Sequence, residues 1–265
     1  LKTPLRYPGG KSRAVKHILP LIPESVERVC SPFFGGGSVE LALASRGTQV
    51  FGYDKMKQLV WFWQGLCGDS NKLADEVEKL REQYLIRNGK TVTGCSKESF
   101  HQYREDLKIE TFMFSYERAA KYYAINRASF SGATFSGGWS EKASYARFTE
   151  SSVQRLRDFN AQKFRVDYAD FEDAIFYHPK AFLYLDPPYM LKGSQNSLYG
   201  IDGNLHDSFD HERLHGILSN RSGWLMSYND CETIRKMYDG YEIVEAAWAY
   251  GMNKSKQSSE ILIRG

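Results

Sequence analysis

Apolar residues follow two rhythms along this chain, and the change between them marks out its elements. Residues 26–33 form a short apolar run ending at Gly35-Gly36-Gly37, and an alanine-rich stretch, 38–45, continues at helical spacing. The pattern predicts a buried strand, a glycine turn and a helix. A second strand is expected over 48–53, ending at Asp54, and the aromatic, mostly apolar segment 59–66 predicts a further helix. Together these make one β-α-β half of a nucleotide-binding sheet.

The character changes between residues 69 and 149. A charged run, 72–87, reads as a helix; 88–99 is a polar stretch; 116–128 reads as another helix. Residues 129–144 are rich in Ser and Gly and hold a short echo, Phe130-Ser131-Gly132 and Phe135-Ser136-Gly137, which reads as a loop. Alternation then resumes. Strands are expected over 163–166, 181–185, 224–228, 241–250 and 258–263, and helices over 171–177, 210–220 and 231–238. A basic hairpin loop, 251–256, joins the last two strands. The expected fold class is α/β, a Rossmann-like sheet with an inserted, mainly helical subdomain: residues 1–66 and 150–265 build the sheet, and 67–149 the insertion.

Composition adds limits. The 265 residues are 42% hydrophobic and 25% charged, values typical of a globular chain able to bury a full core. A net charge of +3 permits a nucleic-acid partner without identifying one. Cys30, Cys67, Cys95 and Cys231 are far apart with no C-x-x-C pair, so neither a zinc knuckle nor a disulfide framework is suggested, and a reducing, intracellular compartment such as the cytoplasm fits. No apolar run approaches the roughly 18 residues needed to span a bilayer, and the start of the chain lacks the apolar core of a signal peptide.

Phe33-x-Gly35-x-Gly37 sits where a strand end opens a helix, so that side-chain-free backbone permits close approach of a ligand. Asp54 ends the next strand, the place from which an acid grips ribose hydroxyls in nucleotide-binding sheets. A dinucleotide fingerprint would require a third glycine where this chain has Glu40. Far more specific is Asp186-Pro187-Pro188-Tyr189 at the end of the 181–185 strand, since ordinary residue usage yields this tetrapeptide in about one chain of this length in a thousand. Two other matches carry less. Gly9-Gly10-Lys11-Ser12 resembles the end of a P-loop, but Leu5 occupies its first glycine and no apolar strand precedes it. His211-Glu212-Arg213-Leu214-His215 fits the zinc-protease pattern H-E-x-x-H, which residue frequencies alone produce in about one such chain in a hundred; no third ligand is singled out, though Glu232 and Glu242 lie downstream.

Pro8-Gly9-Gly10-Lys11, Phe33-x-Gly35-x-Gly37, Asp54 and Asp186-Pro187-Pro188-Tyr189 occur in the order of the Dam-type (DPPY) family of DNA adenine-N6 methyltransferases, which this chain resembles over nearly its whole length. The resemblance implies a methyltransferase sheet that uses S-adenosylmethionine without a metal, an insertion that recognises DNA, and methyl transfer to adenine at the D-P-P-Y segment. By that likeness Tyr7, Lys11, Phe33, Gly35, Gly37, Asp54 and Asp186 meet the cofactor, and Asp170-Phe171 is similar to the family's acidic-aromatic pair near its adenine. Position 7 carries Tyr where the Dam pattern has Trp; stacking survives that change.

The residue types suit this chemistry. Adenine's amino nitrogen is a poor nucleophile because its lone pair is drawn into the ring. The Asp186 carboxylate and the Pro187 carbonyl can accept its two N–H bonds and turn the lone pair toward a methyl donor, while Tyr189 stacks on a base extruded from the duplex. On the DNA side, Asn126-Arg127 and Phe130-x-Gly132 are similar to the family's DNA-reading segment, and Lys254 and Lys256 lie in a hairpin that resembles one approaching DNA. Arg118, Lys121 and Arg147 are further candidates for phosphate or base contacts, and Arg127 is the preferred base reader. The expected partner is double-stranded DNA, and a cognate restriction endonuclease is compatible; oligomeric state is not set by the sequence. Competing readings are transfer to cytosine N4 or an RNA base, a noncatalytic DNA-binding module, and a zinc protease.

Overall fold

The structure, a computed structural model, describes residues 1–109, 113–160, 162–190, 209–249 and 257–265. Its main sheet has seven strands: β1 (Arg28–Ser31), β2 (Gln49–Asp54), β5 (Phe164–Tyr168), β6 (Phe182–Leu185), β7 (Trp224–Asn229), β8 (Glu242–Ala249) and β9 (Gln257–Arg264). They lie in the order β5-β2-β1-β6-β7-β9-β8. Neighbours from β5 through β7 run parallel, and β9 pairs antiparallel with both β7 and β8. The chain builds outward from β1 through β2 to β5 and then returns to lay β6 on the other side of β1. This reversal opens a crevice at the carboxyl ends of β1 and β6, the place where open α/β sheets take their ligands.

Alternation along each strand divides the core. Val29, Val50, Val166, Tyr184, Leu225 and Leu262 pack on one face with most of the helices; Cys30, Leu183, Leu185, Met226, Ile261 and Ile263 pack on the other with the helices α9 (Phe171–Tyr177), α10 (His211–Leu218) and α11 (Glu232–Met237). Both faces are covered, which is why these strands read as nearly continuous apolar runs.

On the first face stand α2 (Ser38–Ser45) and α3 (Lys57–Gly68), followed by α4 (Ser70–Lys79), α5 (Lys97–Lys108), α6 (Tyr116–Ala128), α7 (Glu141–Arg147) and α8 (Glu150–Arg157). A short α1 (Val15–Ile18) precedes them. The helix α6 is buried from Tyr122 to Ala128 and packs against α3, with the Phe62 and Tyr123 rings stacked at 5.6 Å. Apolar side chains of residues 73–148 thus share one continuous core with the sheet.

Three expectations change here. The helix expected over 72–87 stops at Lys79, and β3 (Glu82–Leu85) pairs antiparallel with β4 (Thr91–Gly94). The turn runs from Ile86 to Gly89, closed by Gly89 N donating to Ile86 O at 3.0 Å, and Gly89 has a positive φ of 77°; the Asn88-Gly89 pair is a hairpin signal that the surrounding charge concealed. The polar stretch after it starts α5, whose Ser96 cap accepts from Ser99 N; it buries Phe100 and Leu107, too few apolar residues to show as a stripe. The 129–144 segment holds a 3₁₀ turn (Phe130–Gly132) and the start of α7, capped by Ser140, as well as irregular backbone. The hairpin loop 251–256, with Lys254 and Lys256, lies outside the described residues.

Gly52 on β2 faces the Phe34 ring so closely that a Cβ there would stand 2.0 Å from Cδ2. Gly52→Ala is therefore expected to lower unfolding stability by about 1–3 kcal/mol through overpacking, measured by denaturant titration.

Candidate active site

The first wall of the crevice is the glycine turn after β1. Gly35 and Gly37 have φ of 50° and 67°, in the left-handed region where a side chain is costly. Tyr7 lies against this turn, and a Cβ on Gly36 would stand 2.7 Å from the Tyr7 Cβ. Asp54 locks the turn from β2: its Oδ2 accepts from Gly35 N at 2.9 Å and its Oδ1 from Met56 N at 2.9 Å. Burial raises the Asp54 carboxyl above its usual range while these backbone donors oppose the rise. The Trp63 indole N–H donates to Gly35 O at 3.0 Å, so α3 grips the turn as well.

The second wall is Asp186, directly after β6. Lys11 Nζ lies 2.8 Å from its Oδ1 and 2.9 Å from its Oδ2 and also donates to Gly9 O at 3.2 Å. Ser227 Oγ on β7 donates to Asp186 Oδ1 at 2.8 Å. Tyr189 donates through its hydroxyl to Glu260 Oε1 on β9 at 2.8 Å, and that hydroxyl stands 3.4 Å from Asp186 Oδ1. Lys11 is 5% exposed and Glu260 2%, 3.9 Å apart at their charged atoms, so the group is held largely away from water. Ser227 and Glu260 were not singled out in the sequence. Their signal was a polar residue at an in-phase position of an otherwise apolar strand, Ser227 aligning with Leu225 and Glu260 with Leu262 on the first face.

Lys11 reaches this position because its segment is tied down. Gly9, with φ of 68°, forms a tight turn closed by Gly10 N donating to Tyr7 O at 3.0 Å. Upstream, Asn126 on α6 accepts from Arg6 N at 3.1 Å and donates to Arg6 O at 2.7 Å and Gly132 O at 3.0 Å.

A third group lines the ends of β1, β2 and β5. Phe33 stacks on Phe171 with centroids 5.7 Å apart, and Phe209 meets both rings. Asp170 caps α9 and lies between Lys55, at 3.2 Å, and Arg213, at 3.0 Å; burial pushes its carboxyl up, but the Glu172 backbone N–H, then Lys55 and Arg213, outweigh it and hold the carboxyl below the usual range. The structure thus gathers Tyr7, Lys11, Phe33, Gly35, Gly37, Asp54, Asp170, Phe171, Asp186, Pro187 and Tyr189 along one edge of the sheet.

The DNA-side expectations divide. Asn126 is fully buried and its amide is hydrogen bonded to Arg6 and Gly132. Arg127, the preferred base reader, is 7% exposed and donates to Arg147 O at 2.9 and 2.8 Å and to Pro4 O at 3.4 Å. The guanidinium is buried between α6, the end of α7 and the start of the chain. Arg118 likewise donates to the carbonyls of Asp106 and Ile109, and Lys121 pairs with Asp106 and Glu117. Phe130 is 64% exposed.

His211 and His215 are also drawn apart by their surroundings. His211 Nδ1 is hydrogen bonded to the Tyr228 hydroxyl, while the His215 ring packs edge-on against Tyr238. Among the described residues no three His, Cys, Asp or Glu side chains are grouped so as to hold a metal ion, and no helix is long and apolar enough to cross a membrane.

Beneath the crevice, Glu40 is buried at 3% exposure and accepts from Ser31 Oγ at 2.7 Å. Burial pushes its carboxyl up to about 7, Asp186 adds to the rise, and Ser31 and Lys11 oppose it. A raised folded-state value means that the folded chain keeps a proton that the unfolded chain loses first. Its stabilising effect is therefore complete below about pH 4.5 and declines as pH rises toward 7. Glu40→Gln is expected to flatten this decline, worth on the order of 2–4 kcal/mol, in unfolding titrations across that range. Arg127→Ala is expected to cost about 2–4 kcal/mol in the same assay, with DNA affinity by fluorescence anisotropy changed less than about threefold.

The family model for D12 class N6 adenine-specific DNA methyltransferases matches residues 7–252. The chain is also 22% identical over 284 aligned positions to the type II methyltransferase M1.LlaDCHI of Lactococcus lactis subsp. cremoris, an alignment covering 97% of this chain and 93% of that protein. With a match running from Tyr7 through the crevice to the far side of the sheet, this chain belongs to the D12 class of N6 adenine-specific DNA methyltransferases, which methylate the adenine amino group in DNA with S-adenosylmethionine as donor.

Proposed function

We propose that Asp186 and the Pro187 carbonyl accept the two N–H bonds of the target adenine's amine and that Tyr189 stacks on the base. The observation that carries this is the placement of Asp186 at the β1–β6 crevice, its carboxylate fixed by Lys11 on both oxygens and by Ser227 on one. The two prolines stiffen the backbone and set the carbonyl's direction. Tyr189 is stacked on Tyr228 with centroids 5.5 Å apart, and the Lys11 ammonium lies 5.0 Å from its ring centroid, so the ring is held at the crevice where a base can stack. Reaching it requires the adenine to leave a double helix, at a cost of a few kcal/mol.

The donor set fits the cofactor. Flat rings at Phe33, Phe171 and Phe209 beside the Asp170 carboxylate suit a purine, and Asp54 retains acceptor capacity for ribose hydroxyls beyond its two backbone bonds. Gly35 and Gly37 leave the backbone approachable, with Tyr7 and Lys11 closing the near side. S-adenosylmethionine, when bound here, supplies an electrophilic methyl group on its sulfonium. Asp186 and Pro187 orient the acceptor, and the low exposure of Lys11 and Glu260 keeps water from competing. Transfer from a sulfonium needs no Lewis acid, and we assign no metal.

On the DNA side we assign Phe130, which stands exposed, and the lysines Lys254 and Lys256 to contacts with the duplex. A cognate restriction endonuclease is compatible with the similarity to a type II methyltransferase, and an intracellular setting with DNA as the substrate. Adenine is preferred over cytosine or an RNA base, and catalysis over simple DNA binding, because the family's acceptor is adenine N6 in DNA.

Asp186→Ala is expected to lower incorporation of labelled methyl groups into DNA by about 100-fold or more while the melting temperature stays within a few degrees. Digestion of wild-type product to nucleosides is expected to give N6-methyladenine. Near wild-type incorporation by the folded variant would sink the assignment of Asp186.

A further inference from the structure

Three consecutive residues of β7 reach the segment 186–190 with their side chains. Ser227 Oγ donates to Asp186 Oδ1 at 2.8 Å, the Tyr228 hydroxyl to Pro188 O at 3.2 Å, and Asn229 Nδ2 to Met190 O at 3.2 Å. Ser227 is in phase with Leu225 on the first face of the sheet, while Tyr228 packs with Met226 on the second, so the segment is held from both faces. No described residue donates a hydrogen bond to the Pro187 carbonyl.

The proline rings turn one of these bonds into a control on another atom. Between the Pro187 and Pro188 carbonyls lie a planar peptide unit and the φ and ψ of Pro188. The ring locks that φ at about −65°, so ψ is the one soft dihedral, and the Tyr228 bond to Pro188 O sets it. The hydroxyl's position is thus passed back one residue, to the carbonyl that has no partner. Tyr228 is itself fixed: it is 1% exposed, stacked on Tyr189, and bonded through its hydroxyl to His211 Nδ1 at the start of α10. A hydroxyl has one proton, so with Pro188 O accepting it, His211 Nδ1 is the donor to Tyr228. The first histidine of the H-E-x-x-H segment thereby braces the hydroxyl.

Resting on the reading of Asp186 and Pro187 given above, we propose that Tyr228 is a positioning residue for methyl transfer: through its bond to Pro188 O it aims the Pro187 carbonyl at an N–H of the target amine. Tyr228 touches neither that amine nor the methyl donor in this role; it acts through Pro188. Asn229 anchors the far side of Tyr189, separated from Pro187 by dihedrals that no ring locks.

Tyr228→Phe keeps the ring and removes the hydroxyl. It is expected to slow single-turnover methylation of duplex DNA about 10- to 50-fold, with S-adenosylmethionine affinity within about twofold of wild type. The readout specific to the carbonyl compares duplexes carrying adenine or purine, which lacks the amine, at the mapped methylation site. Their affinities are measured by fluorescence anisotropy with S-adenosylhomocysteine, the demethylated donor, present. The weaker pairing of purine affects every variant alike, so it cancels when a variant's preference for adenine over purine is divided by that of wild type. Tyr228→Phe is expected to lower this preference about three- to tenfold, as for one hydrogen bond, and Asn229→Ala to change it less than about twofold. Pro188→Ala, which unlocks the φ with Tyr228 intact, is expected to lower it likewise and carries the test if circular dichroism shows Tyr228→Phe unfolded. A hydroxyl that serves only the fold leaves the preference unchanged; that result overturns the proposal, as does a wild-type rate for Tyr228→Phe or an equal fall in preference for Asn229→Ala. Asp186→Ala, assayed alongside, keeps the two ideas distinct: an unchanged preference there removes the underlying reading, whereas a lowered one there with none in Tyr228→Phe removes only the role of Tyr228.

Discussion

The contact on which the rest depends is the one between the Lys11 ammonium and the Asp186 carboxylate, 2.8 Å apart with the lysine almost fully buried. Taking such a pair from water is costly, and it persists only where further hydrogen bonds satisfy both partners. Gly9 O supports the lysine and Ser227 the carboxylate, while Glu260 lies close enough to share the ammonium's field. The pair joins the two halves of the sequence, 175 residues apart, across the crevice where the strand order reverses.

That contact in turn requires the start of the chain to be held in one place, and α6 does this with two residues whose types suggest a different use. Asn126 pins Arg6 and Gly132 together, and at Gly132 a Cβ would stand 2.2 Å from Arg6 O, so only glycine fits against the strap. Arg127 holds Pro4 and Arg147. Burial lowers its guanidinium's affinity for the proton from the ordinary value, yet its donors all point to backbone oxygens that would otherwise lack them. The segment that carries Phe130 and the segment that carries Lys11 are therefore bound to one helix, which places the exposed Phe130 and the crevice edge of the sheet in a fixed relation.

The glycine turn shows the same economy of means. Asp54 spends both oxygens on backbone amides of the turn and of the start of α3, and Trp63 returns a bond to Gly35 from that helix. The loop is thereby rigid before anything binds, and rigidity lowers the ordering cost of binding.

The amino-acid sequence by itself determined the strands and helices that flank the crevice, because strands buried on two faces are continuous apolar runs bounded by turns, and it marked Asp186-Pro187-Pro188-Tyr189 and the glycine turn by residue type alone. It was silent where the signal is weak or shared. The β3–β4 hairpin lay hidden in charge, and α5 buries only Phe100 and Leu107. Only the tertiary structure decided that Arg127 is buried against backbone carbonyls, since an arginine's type is the same whether its donors meet DNA or buried carbonyls, and burial is a property of what packs around it. It alone brought Ser227 and Glu260 to Asp186 and Tyr189, because hydrogen bonding across a sheet depends on strand order and register, and a single strand's sequence contains neither.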